Sequence, residues 1–296
     1  MEKEATGTLL KTALKNRILI LDGAFGSLIQ SLKLSENDYR GERFQNHPRQ
    51  LKGNGDILVL SRPEVIEDIH RRYLEAGADI IKADTFISNR ISQGDYGTES
   101  LIREMNREGA RLARLQADRF SDMIPDKPRF VAGSIGPTNK TCSISPRVDD
   151  PAYREVDFDY MTETYYEAVL GLTEGGVDIF LVETVFDTLN AKAALKAIER
   201  SAEKTGVRLP VMISATISDQ SGRTLTGQTI EGFYHSVRHA SPLSLGLNCS
   251  LGVDQMIPHI RNLSKICEYP VSMHPNAGLP NELGRYTQAP DHMAGV

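Results

Sequence analysis

The feature that most constrains this chain is a recurrence. Short, continuously apolar runs alternate with stretches that carry helical periodicity. The runs are Ile18–Leu21, Asp79–Ile81, Arg129–Ala132, Asp178–Val182, Val211–Ser214, Ser244–Leu247 and Pro270–Met273. Unbroken apolar character suits strands covered on both faces, as in a parallel sheet. Between them, Ile66, Ile69, Tyr73 and Ala76 form one helical stripe, opened by Ser61 and Pro63 and stopped by Gly77. Ala191, Ala194, Leu195, Ile198 and Ala202 form a second, ended by Gly206, and Val253, Met256, Ile257, Ile260 and Leu263 form a third. Strand–helix repeats imply right-handed crossovers, and hence a doubly wound sheet or a (β/α)8 barrel.

Two features choose between them. A dinucleotide-binding sheet carries G-x-G-x-x-G after its first strand, whereas this chain has Leu21-Asp22-Gly23-Ala24-Phe25-Gly26. Polar residues also follow almost every run: Asp22, Asp84, Ser134, Glu183, Thr216, Cys249 and Asn276. A TIM barrel gathers the C-terminal ends of its strands into one mouth, where chemistry occurs. The expectation is therefore a (β/α)8 TIM barrel with seven strands visible and a closing eighth beyond Val296, past a helix starting near Asp291. Residues 1–16 read as an N-terminal extension, and 17–296 as one barrel domain, incomplete at its C-terminus.

Composition narrows the partners. Lys and Arg total 34 against 39 Asp and Glu, for a net charge of −5, and the two signs alternate along the chain. No basic face emerges, so nucleic acid is not an expected partner. Three cysteines do not describe a secreted disulfide framework. The N-terminus lacks an apolar signal core, and no run approaches the ~18 residues of a membrane span. The expectation is a soluble, cytoplasmic protein without a membrane partner.

Several motifs resemble chemistry without specifying it. Gly222-Arg-Thr-Leu-Thr-Gly227-Gln228-Thr229 has the outline of a phosphate loop, but Gln228 stands where the lysine belongs, so it reads as a polar loop. His235 and His239 have metal-ligand spacing, yet Ser236 replaces the glutamate of a zinc protease, and a solvated helix face is the simpler reading. His274 follows a strand and could line a mouth. Cys267 continues an apolar stripe and reads as core, and Cys142 reads as an incidental loop thiol. Cys249 ends a strand, where a thiol is a candidate nucleophile or soft-metal ligand. Asp22 and Glu183 also follow strands, where buried carboxylates call for a cationic ligand or metal. The Gly23–Gly26 backbone can approach an anion closely. Together these suit a thiol amino acid, though not uniquely.

These same residues carry a resemblance. Leu21–Gly26, Arg40-Gly41-Glu42-Arg43-Phe44, Ala132-Gly-Ser134-Ile-Gly-Pro-Thr-Asn-Lys-Thr141, Val182-Glu183-Thr-Val-Phe-Asp-Thr188, Ser221–Thr229, Gly246-Leu-Asn248-Cys249 and Pro275-Asn-Ala-Gly-Leu-Pro-Asn281 resemble cobalamin-dependent methionine synthases, in their N-terminal homocysteine-binding module. The match runs from about residue 17 to 288, and Arg40–Phe44 favours this branch over betaine-dependent relatives. The resemblance implies a homocysteine S-methyltransferase barrel. Its zinc is held by three cysteine thiolates, the first being Cys249, and homocysteine sulfur takes the open position. Zinc-bound homocysteine thiolate would then accept a methyl group from methylcobalamin, giving methionine. Substrate-binding roles are implied for Asp22, Gly23, Ala24, Ser134, Glu183 and Asn248, with Asp22 and Glu183 near the ammonium and the Gly23–Ala24 backbone near the carboxylate. The partners implied are homocysteine and the cobalamin- and folate-binding modules of the longer enzyme.

Two departures are visible. The family's paired cysteines, its second and third zinc ligands, would lie beyond Val296, as would the other modules. Asp79-Ile-Ile-Lys82-Ala-Asp84-Thr-Phe86 has Lys82, Ala83 and Asp84 where the family carries Glu, Thr and Asn. The residues also admit two other readings: a non-catalytic barrel fragment without a complete zinc site, and a barrel lyase or aldolase using Glu183 and His274.

Overall fold

The computed structural model describes residues 3–218, 221–279, 286 and 288–296. Pro280 and Asn281, which end the last resembling motif, lie outside the described residues. Six strands form one sheet in sequence order: β1 (Ile80–Lys82), β2 (Phe130–Ile135), β3 (Ile179–Val185), β4 (Val211–Ala215), β5 (Ser244–Gly252) and β6 (Val271–Asn276). The pairs β1/β2, β4/β5 and β5/β6 run parallel. This is the expected α/β fold, with the strand order of a (β/α)8 wall. Helices separate the strands, and among the described residues none is long and apolar enough to cross a membrane.

The chain divides into two compact units. One comprises Met1–Asn139, Thr162–Phe180 and Lys196–Pro210, the other Lys140–Met161, Leu181–Leu195 and Val211–Val296. In the first, the helix Pro63–Glu75 starts with proline at its first turn and is followed by Gly77 at φ +104°, as its sequence predicts. Its Ile66 and Ile69 join Leu58, Met105 and Leu112 in a buried cluster. Each such side chain stabilises the fold by roughly 1.5–3 kcal/mol. Arg40, in the resembling motif, donates from its guanidinium to the carbonyls of Phe44, Gln45, His47 and Arg49 and to Glu36, so the motif organises a surface loop.

The expected strand at Ile18–Leu21 is corrected by the structure. Only Leu21 bridges Ile80, and Ile18 and Ile20 are 84% and 55% exposed. Carboxylates have taken over part of the pairing. Asp79 accepts from Ile20 N at 2.9 Å and from both terminal nitrogens of Arg17, while Asp22 accepts from Lys82 N at 2.8 Å. With side chains substituting for ladder partners, the segment is tied to β1 without becoming a strand.

In the second unit, β5 runs along β6 with Gly246 opposite Ser272. A Cβ at Gly246 would stand 2.2 Å from the Ser272 carbonyl oxygen, so this approach admits only glycine. The register shifts between Asn248 and Gly252, where Cys249 and Ser250 take φ of 59° and 58°. The helix Val253–Ile266 follows directly and buries Val253, Met256 and Leu263, three of the five residues in its predicted stripe.

Candidate functional site

In the first unit, the end of β1 collects buried charge. Asp22, Asp56, Lys82 and Asp84 are all less than a tenth exposed. Lys82 Nζ lies 4.0 Å from Asp22 Oδ1. Asp56 accepts from Ile87 N at 2.7 Å and Ser88 Oγ at 2.8 Å, and burial raises its pKa to about 6. Burial, reinforced by the charges of Asp56 and Asp22 and opposed by Lys82, pushes Asp84 well above the usual carboxylate range. The lysine that departs from the family pattern is thus a resident cation among three acids.

Gly23 and Ala24 lie against Tyr73 of the helix Pro63–Glu75. The Tyr73 hydroxyl donates to Ala24 O at 2.9 Å, and a Cβ on Gly23 would meet that hydroxyl at 2.6 Å. Glycine is required here by close approach, independently of any anion. Ser134 is buried in β2, and its carbonyl accepts from Thr85 Oγ1 at 2.8 Å.

In the second unit, Glu183 is buried near the end of β3, beside Thr184, whose φ is +59°. That conformation is rare for a β-branched residue. Asn248 connects the neighbouring strand ends. Its amide donates to Thr184 Oγ1 at 2.7 Å and to Cys249 Sγ at 3.1 Å. Its carbonyl oxygen accepts from Thr184 N at 3.0 Å and Ser214 Oγ at 2.7 Å. Cys249 itself is half-buried, with Thr184 Oγ1 4.0 Å from its sulfur. The structure therefore brings Asn248, Cys249 and Glu183's neighbour together. Thr184 and Ser214 were not anticipated as members, because no local sequence signal announces a left-handed threonine or a serine buried mid-sheet.

The remaining motifs are structural. Thr229, at the end of the glycine-rich loop, caps the helix Ile230–Val237 by accepting from Gly232 N at 3.1 Å. His235 and His239 are exposed, and the α-helix ends at Val237 before reaching the second. Cys142 is buried with its sulfur against Asp157 O, and burial pushes its thiol up to about 11. Cys267 caps the helix Val253–Ile266, and burial raises its pKa as well. His274 stands opposite Asn248 in the β5/β6 register.

The implied zinc can be tested against these donors. Among the described residues, no group of three or more His, Cys, Asp or Glu side chains is placed to hold a metal ion. A catalytic zinc site takes three protein ligands. Cys249 is a suitable thiolate donor, but the described residues do not by themselves complete a three-ligand site.

The fold is a parallel α/β sheet whose strand ends carry polar side chains, the class in which barrel enzymes place their chemistry at the C-terminal ends of the strands. Family comparison narrows the class: the chain belongs to the Homocysteine S-methyltransferase family, which matches residues 19–296. A methyltransferase family thereby displaces the lyase or aldolase alternative. The fold is shared with the homocysteine methyltransferase MmuM from Escherichia coli. Its metallated form aligns at a TM-score of 0.71 and 17% identity, covering 91% of this chain and 87% of that one. Its oxidized form gives 0.71 and 18%, covering 90% and 85%.

Proposed function

We propose that this chain is the homocysteine-binding module of a cobalamin-dependent methionine synthase. In this reading residues 17–296 form the homocysteine domain, preceded by the helix over residues 3–16, and the chain acts in the cytoplasm. The observation that carries the proposal is Cys249. In a homocysteine S-methyltransferase, a strand-end thiol held by an asparagine amide occupies the position the resemblance assigns to sulfur chemistry. Asp22 and Glu183 are assigned the substrate ammonium, the Gly23 and Ala24 backbone the carboxylate, and Ser134 and Asn248 supporting polar roles. The reaction forms a sulfur–methyl bond on homocysteine and breaks the donor's bond to the same methyl group, and the thiol proton is released. The methyl donor is methylcobalamin, presented by a cobalamin-binding module, with a folate-binding module as a further partner. Cys249 is the one zinc ligand proposed from this chain.

Calorimetric titration tests the substrate assignment. Homocysteine should bind more tightly than 4-mercaptobutyrate, which lacks the ammonium. Glu183→Gln should weaken homocysteine binding by about 1.5–3 kcal/mol, the loss of one charge-assisted hydrogen bond, and leave 4-mercaptobutyrate unaffected. Equal affinity of the wild-type protein for both compounds, or an unaltered preference in the variant, would refute the assignment.

A further inference from the structure

We infer that Asn248 is a positioning residue for Cys249, acting through the sulfur and the β3 end rather than through a hydrogen bond of its own to substrate. A side-chain amide has two N–H donors and one oxygen with two lone pairs. All four are used inside the protein. The donors go to Thr184 Oγ1 and Cys249 Sγ, and the oxygen accepts from Thr184 N and Ser214 Oγ. The orientation of the amide is not arbitrary. Thr184 N–H can only donate, so the oxygen must face it, and the nitrogen is left facing the sulfur. Asn248 is 3% exposed, which removes water as a competitor.

The backbone gives the second line of argument. Thr184, Cys249 and Ser250 all have φ near +60°, and they make up three of the five non-glycine residues with positive φ among the described residues. Such conformations persist only where the surroundings hold them, and they concentrate where a side chain must be aimed. Asn248 grips Thr184 at both its N–H and its hydroxyl, and it immediately precedes the left-handed pair. The β5 register breaks at this residue. Ser250 Oγ lies 3.0 Å from Thr216 Oγ1, anchoring the far side of the bulge to the end of β4. The bulge turns Cys249 out of the strand's alternation, and the Asn248 amide fixes where its sulfur rests. The consequence for methyl transfer rests on the proposed function; the consequence for the thiol does not.

The test therefore reads the thiol directly. The full 296-residue protein is treated with iodoacetamide at pH 8, and the alkylation rate of each cysteine is followed by peptide mass spectrometry. Asn248→Asp keeps both acceptor contacts, loses the donor to sulfur and places a carboxylate beside it. It should slow Cys249 at least tenfold while Cys142 and Cys267 stay within twofold of wild type. A merely structural role would move Cys142, which is buried in the fold, as much as Cys249. Ser214→Ala keeps both amide donors but frees one side of the carbonyl oxygen. It should slow Cys249 two- to fivefold, again with the other two unchanged. If Asn248→Asp accelerates Cys142, that variant has opened the fold and Ser214→Ala decides. A Cys249 rate within twofold of wild type in Asn248→Asp with the reference cysteines steady, or unchanged in Ser214→Ala, overturns the inference. A wild-type protein that fails to bind homocysteine would refute the proposed function and leave this measurement intact.

Discussion

His70 shows how little of a residue's role its type predicts. It lies fully buried on the helix Pro63–Glu75, edge-on to Phe25 with ring centroids 5.0 Å apart. Neither ring nitrogen has a hydrogen-bond partner among the described residues. Burial alone lowers its pKa from 6.5 to about 3. The unfolded chain therefore takes up a proton between those values that the folded chain refuses, so this residue costs stability as pH falls below 6.5. His70→Leu is expected to stabilise the protein by about 1 kcal/mol at pH 7, from removal of the unpaired polar atoms. At pH 5 the gain should be about 2 kcal/mol larger, since 1.5 pH units separate that pH from the unfolded pKa. Urea unfolding at the two pH values checks this, and a gain no larger at pH 5 would count against it.

At the scale of elements, the apolar runs located the middles of β2 to β6 but not their ends. β3 continues to Val185 and β5 to Gly252, well past the predicted limits. The reason is that strand C-termini here carry Glu183, Thr184, Asn248 and Cys249, so hydrophobicity stops before the hydrogen-bonded ladder does. The end of β1 carries a different lesson. Lys82, a departure by charge, is tolerated because Asp22 and Asp84 bear on it. Lys82→Met should leave these buried acids without their cation and destabilise the protein by about 3 kcal/mol, whereas Lys82→Arg should retain most of the stability. A loss below about 1 kcal/mol in the methionine variant, measured by urea unfolding, would show that the pair is incidental.

For the whole molecule, zinc affinity follows from how many ligands converge, and strands distant in sequence must supply them. Cys142 and Cys267 are engaged in their own packing, with sulfurs against Asp157 O and Tyr269 O. With Cys249 as the one donor proposed among the described residues, the 296-residue protein is expected to surrender zinc to a mild chelator. Stoichiometric metal surviving that treatment, measured by atomic emission, would overturn the expectation.

Strand–helix alternation, the polar residues after the strands and the order of the long motifs belong to the sequence by itself. Local hydrophobic period and turn chemistry are enough to produce the first two, which led to the parallel α/β fold, while the long motifs pointed to the methyltransferase family by their resemblance alone. Tertiary structure decided the rest. It reduced Ile18–Leu21 to a single bridge, because the Asp79 carboxylate takes the Ile20 N–H and the Asp22 carboxylate takes the Lys82 N–H of β1 in place of backbone partners. It set Lys82 beside Asp22, 60 residues earlier in the sequence. It also gave Asn248 four hydrogen bonds to three residues on three strands, an arrangement that depends on which strand ends adjoin in space and that no local pattern of residues encodes.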